Sequence, residues 1–321
     1  MKNLSPVESP LGLREVETST KPLTPTQMAF RRFLRHKMAI IGVIFMVAIV
    51  LYVTIGASFY TEAQSNRLNL MIMLSPPSPG HWFGTDFVGR DVLARTIYGG
   101  QISIIIGILA VVVSTFVGIL IGAFSGYYGG IIDNLLMRFT EAMYTVPQLF
   151  LLIVLAKFLG GKLPTFIFLG RSFSGSVIII IGVIGMTSWM YLARIVRSNV
   201  LSLKEQDFIT AATSIGTKDR FIILGHILPN TIAPIIIAAT LQVANSILTE
   251  AYISFLGLGV QPPTATWGNM LQEANKYLER APWLWFFPGM LILLTVLAIN
   301  FVGDGLRDAL DPHSLVDVNK E

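Results

Sequence analysis

Cysteine is missing from all 321 residues of the chain. That excludes disulfides, thiolate metal sites and thiol nucleophiles, and leaves the redox compartment unread. Charge is scarce too: 13% of residues are Asp, Glu, Lys or Arg, where soluble domains carry about 25%. The four histidines, His36, His81, His226 and His313, stand far apart, without the spacing a metal site requires. No Gly-x-x-x-x-Gly-Lys-Ser/Thr occurs to cradle nucleotide phosphates, and no Gly-x-Ser-x-Gly nucleophile elbow. Hydrolytic, metal and nucleotide chemistry are therefore not expected of this chain, and no catalytic or metal-ligating residue is assigned.

What the chain has instead is apolar length. It is 53% hydrophobic, with a mean hydropathy of +0.66. Six stretches, near 38–59, 102–124, 139–160, 176–197, 231–257 and 283–304, approach or exceed the roughly 20 helical residues that cross a bilayer. The expectation is an all-α, polytopic transmembrane helical bundle of six spans. The transmembrane domain would run over 31–312, with outer loops 60–101 and 258–282 and a cytoplasmic loop 198–230. Residues 1–30, polar and rich in Pro, Ser, Thr and Glu, read as a disordered cytoplasmic tail rather than a cleaved leader, and 313–321 as a second tail.

Orientation follows from where Lys and Arg fall. With the N-terminus inside, the inner side holds 15 of the 23 basic residues: seven before span 1, one between spans 2 and 3, five around 194–220 and two in the tail. Both ends and the 198–230 loop are expected in the cytoplasm. Arg31, Arg32, Arg35 and Lys37 precede span 1 directly. Despite a pI near 9.3, this cluster reads as an orienting contact with anionic membrane lipid, not as a nucleic-acid site.

Several residues inside the spans carry information. Ser114, Gly118, Gly122 and Gly126 repeat every fourth position in span 2, a small-residue face for close helix packing; Gly182 and Gly185 offer another in span 4. In span 5, Gln242, Asn245 and Thr249 form a polar stripe, with Ser246 and Glu250 on a neighbouring line. Polar groups at membrane depth face protein or a water-filled path. Gln242, Asn245, Thr249 and Glu250 are assigned to a translocation pathway, the alternative being interhelical hydrogen bonds. Near span 3, Arg138 and Glu141 can pair, and Pro147 is expected to loosen the helix as a hinge or static kink.

The 198–230 loop is polar yet helix-competent. Ser202 and Glu205 have capping-box spacing, and Phe208, Ala211, Ala212 and Ile215 recur on one face. Gly216 suits a helix C′ position, Thr217 a second N-cap, and Pro229 the end of that second helix. An exposed short helix between spans reads as a docking surface. Asp207, Phe208, Ala211, Ala212, Ile215, Gly216, His226 and Pro229 are its candidate residues.

The same loop resembles the Glu-Ala-Ala coupling loop of ABC importer permeases: Ala211, Ala212, Gly216, His226, Leu228, Pro229 and Asn230 match, while Thr210 stands where that pattern usually has Glu. His81-Trp-Phe-Gly-Thr-Asp-Phe-Val-Gly-Arg-Asp91 resembles the signature of dipeptide/oligopeptide permeases. So do Glu250-Ala-Tyr-Ile-Ser-Phe-Leu-Gly-Leu-Gly259 and Gly303-Asp-Gly-Leu-Arg-Asp-Ala-Leu-Asp-Pro312. Together they run from about Phe30 to Pro312 and look like the C-type permease rather than its B-type partner. The resemblance implies the type I (MetI-like) architecture in a bacterial or archaeal cell membrane, and ATP-driven import of di- or oligopeptides. It also implies a second homologous permease, two ATP-binding subunits that hold ATP and Mg, and an extracytoplasmic solute-binding protein. Nickel or another small solute is the alternative cargo within the family, and a stand-alone secondary transporter or channel the alternative outside it.

Overall fold

The computed structural model describes residues 24–159, 162–168 and 171–311. Helix α1 (Pro25–Arg35) opens on a capping box between Thr24 and Gln27. It therefore takes in residues 25–30, which had been read as tail; residues 1–23 and 312–321 lie outside the described residues, including Pro312 of the third signature. Helix α2 (Lys37–Phe59) is the first span. A short α3 (Glu62–Asn66) and a 3-10 turn (Leu70–Ile72) lead through the first outer loop.

Helix α4 (Val92–Tyr128) has 37 residues. At 1.5 Å each it is about 55 Å long, well over the ~30 Å hydrocarbon core, so it protrudes beyond it. The sequence marked only 102–124 because its outer turns carry Arg95, Thr96 and Gln101, which lower the local hydropathy without breaking the helix.

Among the described residues, four helical segments are long and apolar enough to cross a membrane, or six spans if two bent pairs each count as one. Span 3 is not a continuous helix. Helices α5 (Gly130–Thr145) and α6 (Gln148–Leu159) meet at 86°. Pro147 has no N–H to give the turn before it, and it pushes Val146 out of helical backbone, to φ −76° and ψ 120°. Span 4 is α7 (Ser176–Thr187) and α8 (Trp189–Lys204), bent by 41°. The Thr187 hydroxyl donates back to the Val183 and Ile184 carbonyls just before the break, an interaction that bends helices. Between α6 and α7 an antiparallel hairpin pairs β1 (Phe166–Phe168) with β2 (Arg171–Phe173), an element the sequence did not mark.

Beyond α8 lie α9 (Asp207–Ser214) and α10 (Asp219–Ile222), then a π-helical turn (Ile223–Ile227) that runs into α11 (Leu228–Phe255). Pro229 therefore starts the long helix instead of ending a short one. The N–H of Leu228 bonds to the Ile223 carbonyl, five residues back, and this wider turn delivers Pro229 to a first-turn position where no N–H is needed. Helices α12 (Trp267–Ala274) and α13 (Trp283–Leu310) complete the chain.

The bundle is built around α4, which touches α2, α7, α8, α11 and α12. Its small-residue face lies on α8. A methyl group added at Gly122 would sit 2.5 Å from the Ala193 carbonyl oxygen; one at Gly118 would meet Leu192 at 2.9 Å, and one at Gly126 Val200 at 2.8 Å. Gly185 of α7 likewise presses against Val113, but Gly182 faces open space and is no part of a contact. Asp133 of α5 forms two 2.5 Å bonds with the Arg197 guanidinium of α8, and also accepts from Ser125 at the end of α4. The outward faces of α2 and α4 carry Ile44, Phe45, Val47, Val112 and Phe116 exposed, as helices facing lipid or another subunit would.

Gly122→Ala is expected to destabilise the protein by about 1–3 kcal/mol through overpacking. Gly182→Ala, with room for a methyl, should be neutral or stabilising by helix propensity. Thermal unfolding midpoints of the two variants in the same detergent check the contrast.

Candidate functional site

The segment after α8 folds differently from the pattern read in its sequence. Ser202 remains inside α8, and Gln206 is the N-cap of α9 with no side-chain cap bond. Asp207 supplies the favourable charge in the first turn instead. At the other end Gly216 adopts φ +77°. Its N–H bonds to the Thr213 carbonyl, and the Thr217 N–H to that of Ala212; this double closure is a Schellman motif, which favours glycine at its left-handed position. Lys218, not Thr217, is the N-cap of α10.

Helix α9 has two faces. Ile209 and Ala212 are buried in one cluster with Ala123 of α4, Val200 of α8, Ile222 of α10 and Ile227 of the π-helical turn. Phe208, Ala211 and Ile215 are exposed, Ile215 by 83%. Ala212 thus lies beneath the outward face to which its spacing assigned it, because a straight 3.6-residue repeat places it beside Ile209 as well as beside Phe208. Thr210 is exposed, its hydroxyl bonded to the Gln206 carbonyl. His226 and Pro229 are exposed on the π-helical turn and the head of α11, near the outward-facing Phe221 and Leu224.

A polar strut that the sequence did not reveal holds this corner. The Lys204 ammonium donates to the Tyr127 carbonyl at 2.6 Å, and the Tyr127 hydroxyl to Asp219 at 2.9 Å. It joins the end of α4 to the last turn of α8 and the start of α10. The partners are 77 and 92 residues apart, so no local spacing signals them.

The span-5 residues separate into two groups. Asn245 is exposed and Gln242 and Thr249 are half-buried, on a side of α11 that the chain leaves open. Glu250 is 0% exposed and belongs elsewhere. It accepts from Ser103 of α4 at 3.0 Å and from Ser254 at 2.7 Å. Ser103 also receives the Trp267 backbone N–H, and Ser254 that of Val260. Glu250 is therefore a buried tie between α4, α11 and the second outer loop, and its assignment to the pathway stripe is corrected. Ser246, also buried, has no hydrogen-bond partner among the described residues.

The outer loops close over this end of the bundle. Asp86 accepts from the backbone N–H groups of Val88 and Arg90 and from the Arg90 side chain. Arg90 and Arg95 both reach Glu273 of α12, at 2.8 and 3.4 Å. Asp91 caps α4 through the Ala94 N–H and contacts His81 at 2.6 Å. Trp267 is fully buried, its indole N–H on the Thr96 carbonyl, so it is not an interfacial anchor. Trp283 bonds the Thr85 carbonyl, and Trp285 is exposed. No group of three His, Asp or Glu side chains suited to a metal occurs among the described residues.

Glu273→Gln would leave the buried Arg95 with only the more distant Asp86 carboxylate, at 3.8 Å, and should cost about 3 kcal/mol. Glu141→Gln, which breaks the exposed Arg138–Glu141 pair, should cost under about 1 kcal/mol. Unfolding midpoints in detergent measure both.

Comparison with known proteins matches residues 118–315 to the family described as binding-protein-dependent transport system inner membrane component. Residues 24–77 match the N-terminal transmembrane domain of oligopeptide transport permease C. A putative peptide permease protein of Brucella suis is 42% identical over 303 residues, 94% of each chain. The oligopeptide transport system permease protein OppC of Haemophilus influenzae is 40% identical, covering 89% of this chain and 88% of its own. The dipeptide transport system permease protein DppC of Bacillus subtilis is 38% identical, covering 93% and 89%. With a polytopic helical bundle and these matches along nearly its whole length, the chain belongs to the family of binding-protein-dependent transport system inner membrane components, among its C-type permeases.

Proposed function

We propose that this chain is the pore-forming permease subunit of an ATP-driven importer of di- or oligopeptides. The named relatives support the cargo, since they are peptide permeases. In this reading it works beside a second homologous permease, two ATP-binding subunits that hold ATP and Mg, and an extracytoplasmic solute-binding protein. Both termini and α9 lie on the cytoplasmic side, as the distribution of Lys and Arg favours.

The observation that carries the reading is the two-sidedness of α9. It is eight residues long, stopped at its C-terminus by the Gly216 motif, exposed through Phe208, Ala211 and Ile215, and buried through Ile209 and Ala212 in the cluster that joins α4, α8, α10 and α11. A partner that grips the outward face moves a body whose inner face is packed on α8 and α10 and shares one apolar cluster with α4 and α11. ATP-driven closure of two such partners would displace α9, and with it α11, whose Gln242, Asn245 and Thr249 line the open side. The partner must bind the two arrangements of the permease with different affinity, or nothing is transmitted.

Affinity purification in mild detergent, with identification of co-purifying chains, tests this directly. A second permease and ATP-binding subunits are expected with the wild type. Ile215→Asp and Phe208→Asp should reduce recovery of the ATP-binding subunits at least about tenfold, as loss of an interface hot spot does, while the permease pair persists. Because Ala212 is buried, a large residue there would disturb the fold and does not discriminate. Recovery of the chain alone, or ATP-binding subunits undiminished in both variants, would overturn the assignment.

Orientation has its own test, made clean by the absence of native cysteine. A single cysteine at Lys218 should resist a membrane-impermeant maleimide in intact spheroplasts and react once they are opened. One at Trp82, exposed in the first outer loop, should react in both. The reverse pattern would invert the topology.

A further inference from the structure

Helices α5 and α8 flank an open, polar cavity of ≈ 350 Å³, lined by Asp133, Met137, Arg138, Glu141, Arg194 and Arg197. That lies within the roughly 300–1,000 Å³ of small-molecule sites. The two helices run side by side. Asp133 is bonded to Arg197, Phe139 stacks on Trp189 with ring centroids 6.1 Å apart, and Gln148 reaches Ser188 at 3.4 Å. At 1.5 Å per residue, Arg138 and Glu141 stand about 12–17 Å from the head of α5 at Gly130, and Arg194 about 15 Å from the end of α8 at Lys204. The charges therefore lie well inside the span. Arg138 and Glu141 pair at 3.2 Å, yet their side chains remain 84% and 52% exposed. Exposed charge at that depth faces water or protein, not hydrocarbon. Glutamate is too short to reach the interface from there.

Charge in the cavity is unbalanced. Asp133 holds Arg197, and Glu141 holds Arg138. Arg194 is exposed and has no ion pair or hydrogen bond among the described residues; its guanidinium lies over the Tyr144 ring, 4.4 Å from the centroid. We infer that this cavity lines the cytoplasmic half of the translocation path, and that Arg194 receives the carboxylate of the peptide cargo there. Stacking on a ring engages the face of a guanidinium and leaves its in-plane N–H fork, which matches a carboxylate in geometry. A phospholipid fits less well, because Met137 is the single apolar residue in the lining and offers no groove for an acyl chain. The cavity is also tied to the docking helix. Helix α8 ends at Lys204 and α9 begins at Asp207, and the Arg197–Asp133 bond carries α5 with α8. Displacing α9 would thus move the wall that holds the carboxylate. The inference rests on the import reading above and on the cytoplasmic placement of α9.

Single cysteines test it, since the chain has none of its own. In inside-out membrane vesicles, Met137→Cys and Asn134→Cys, both in the lining, should react with charged methanethiosulfonates, read as added mass on the purified full-length chain. Phe116→Cys, on the outward apolar face of α4, should not. Relative to a free thiol in solution, Met137→Cys should favour the anionic sulfonatoethyl reagent over the cationic trimethylammonium-ethyl one at least about tenfold, because a cleft of one sign concentrates the opposite charge. Arg194→Gln should abolish that preference, and Arg194→Lys should keep most of it. Trialanine should slow the labelling; trialanine amide, which lacks the carboxylate, should not. No labelling at either cysteine, an anionic preference that is absent or survives Arg194→Gln, or equal protection by the two peptides overturns the site. Protection by added phosphatidylglycerol in place of trialanine overturns it in favour of a lipid. Labelling requires neither ATP nor co-purified subunits, so failure here is distinguishable from failure of the transport reading. Lys218→Cys in the same vesicles reports the topology separately.

Discussion

The backbone-to-backbone approach of α4 and α8 is the constraint on which the rest of the molecule depends. In a membrane, burying apolar surface against another helix brings little, since lipid tails are as apolar as leucine; close van der Waals contact has to hold helices together. Gly118, Gly122 and Gly126 let α8 lie so near that added methyl groups would collide with Leu192, the Ala193 carbonyl and Val200. The end of α8 is thereby placed beside the end of α4. Only there can Lys204 reach the Tyr127 carbonyl, and only from there can α9 turn its Ile209 and Ala212 into the three-helix corner. A short helix of eight residues is marginal by itself; docked on that corner, it becomes a rigid handle.

At the opposite end the bundle is held by charge and hydrogen bonds. Asp86, Arg90, Arg95 and Glu273 bind the first outer loop to α12, and Glu250 binds α4 and α11 to the second through Ser103 and Ser254. Such groups are costly to bury and contribute little net stability when paired. They do exclude most alternative arrangements, because a displaced loop would strand a charge. The consequence is a molecule with one end closed by charged loops and the short helix α9 fixed at the ends of α4 and α8.

Much of this was legible from residue patterns. The six apolar stretches, the small-residue repeat of α4, the glycine stop of α9 and the outward Phe208, Ala211 and Ile215 are local properties that periodicity reports directly. The misreadings share one cause. Ser202 and Glu205 have the spacing of a cap but lie where α8 has not yet ended. Pro229 looks like a terminator, but a π-helical turn admits it to the first turn of α11. Pro147, by contrast, was read as a hinge or static kink, and the span is bent there by 86°.

Sequence alone settled the class of molecule: a polytopic helical protein with a short helix between its fourth and fifth spans and motifs of a peptide-permease family. Those features follow from composition and short-range spacing, which do not change when the chain folds. Folding alone settled which polar groups face outward and which are structural. Glu250 was assigned with Gln242, Asn245 and Thr249 to one pathway, yet it is buried where Ser103, 147 residues away, donates to it. Ala212 and Ile215 belong to one apolar face in the sequence, but Ala212 is covered because it packs into a cluster with residues of α4, α8, α10 and the π-helical turn. Burial is set by what packs opposite a residue, and that is a property of distant chain segments.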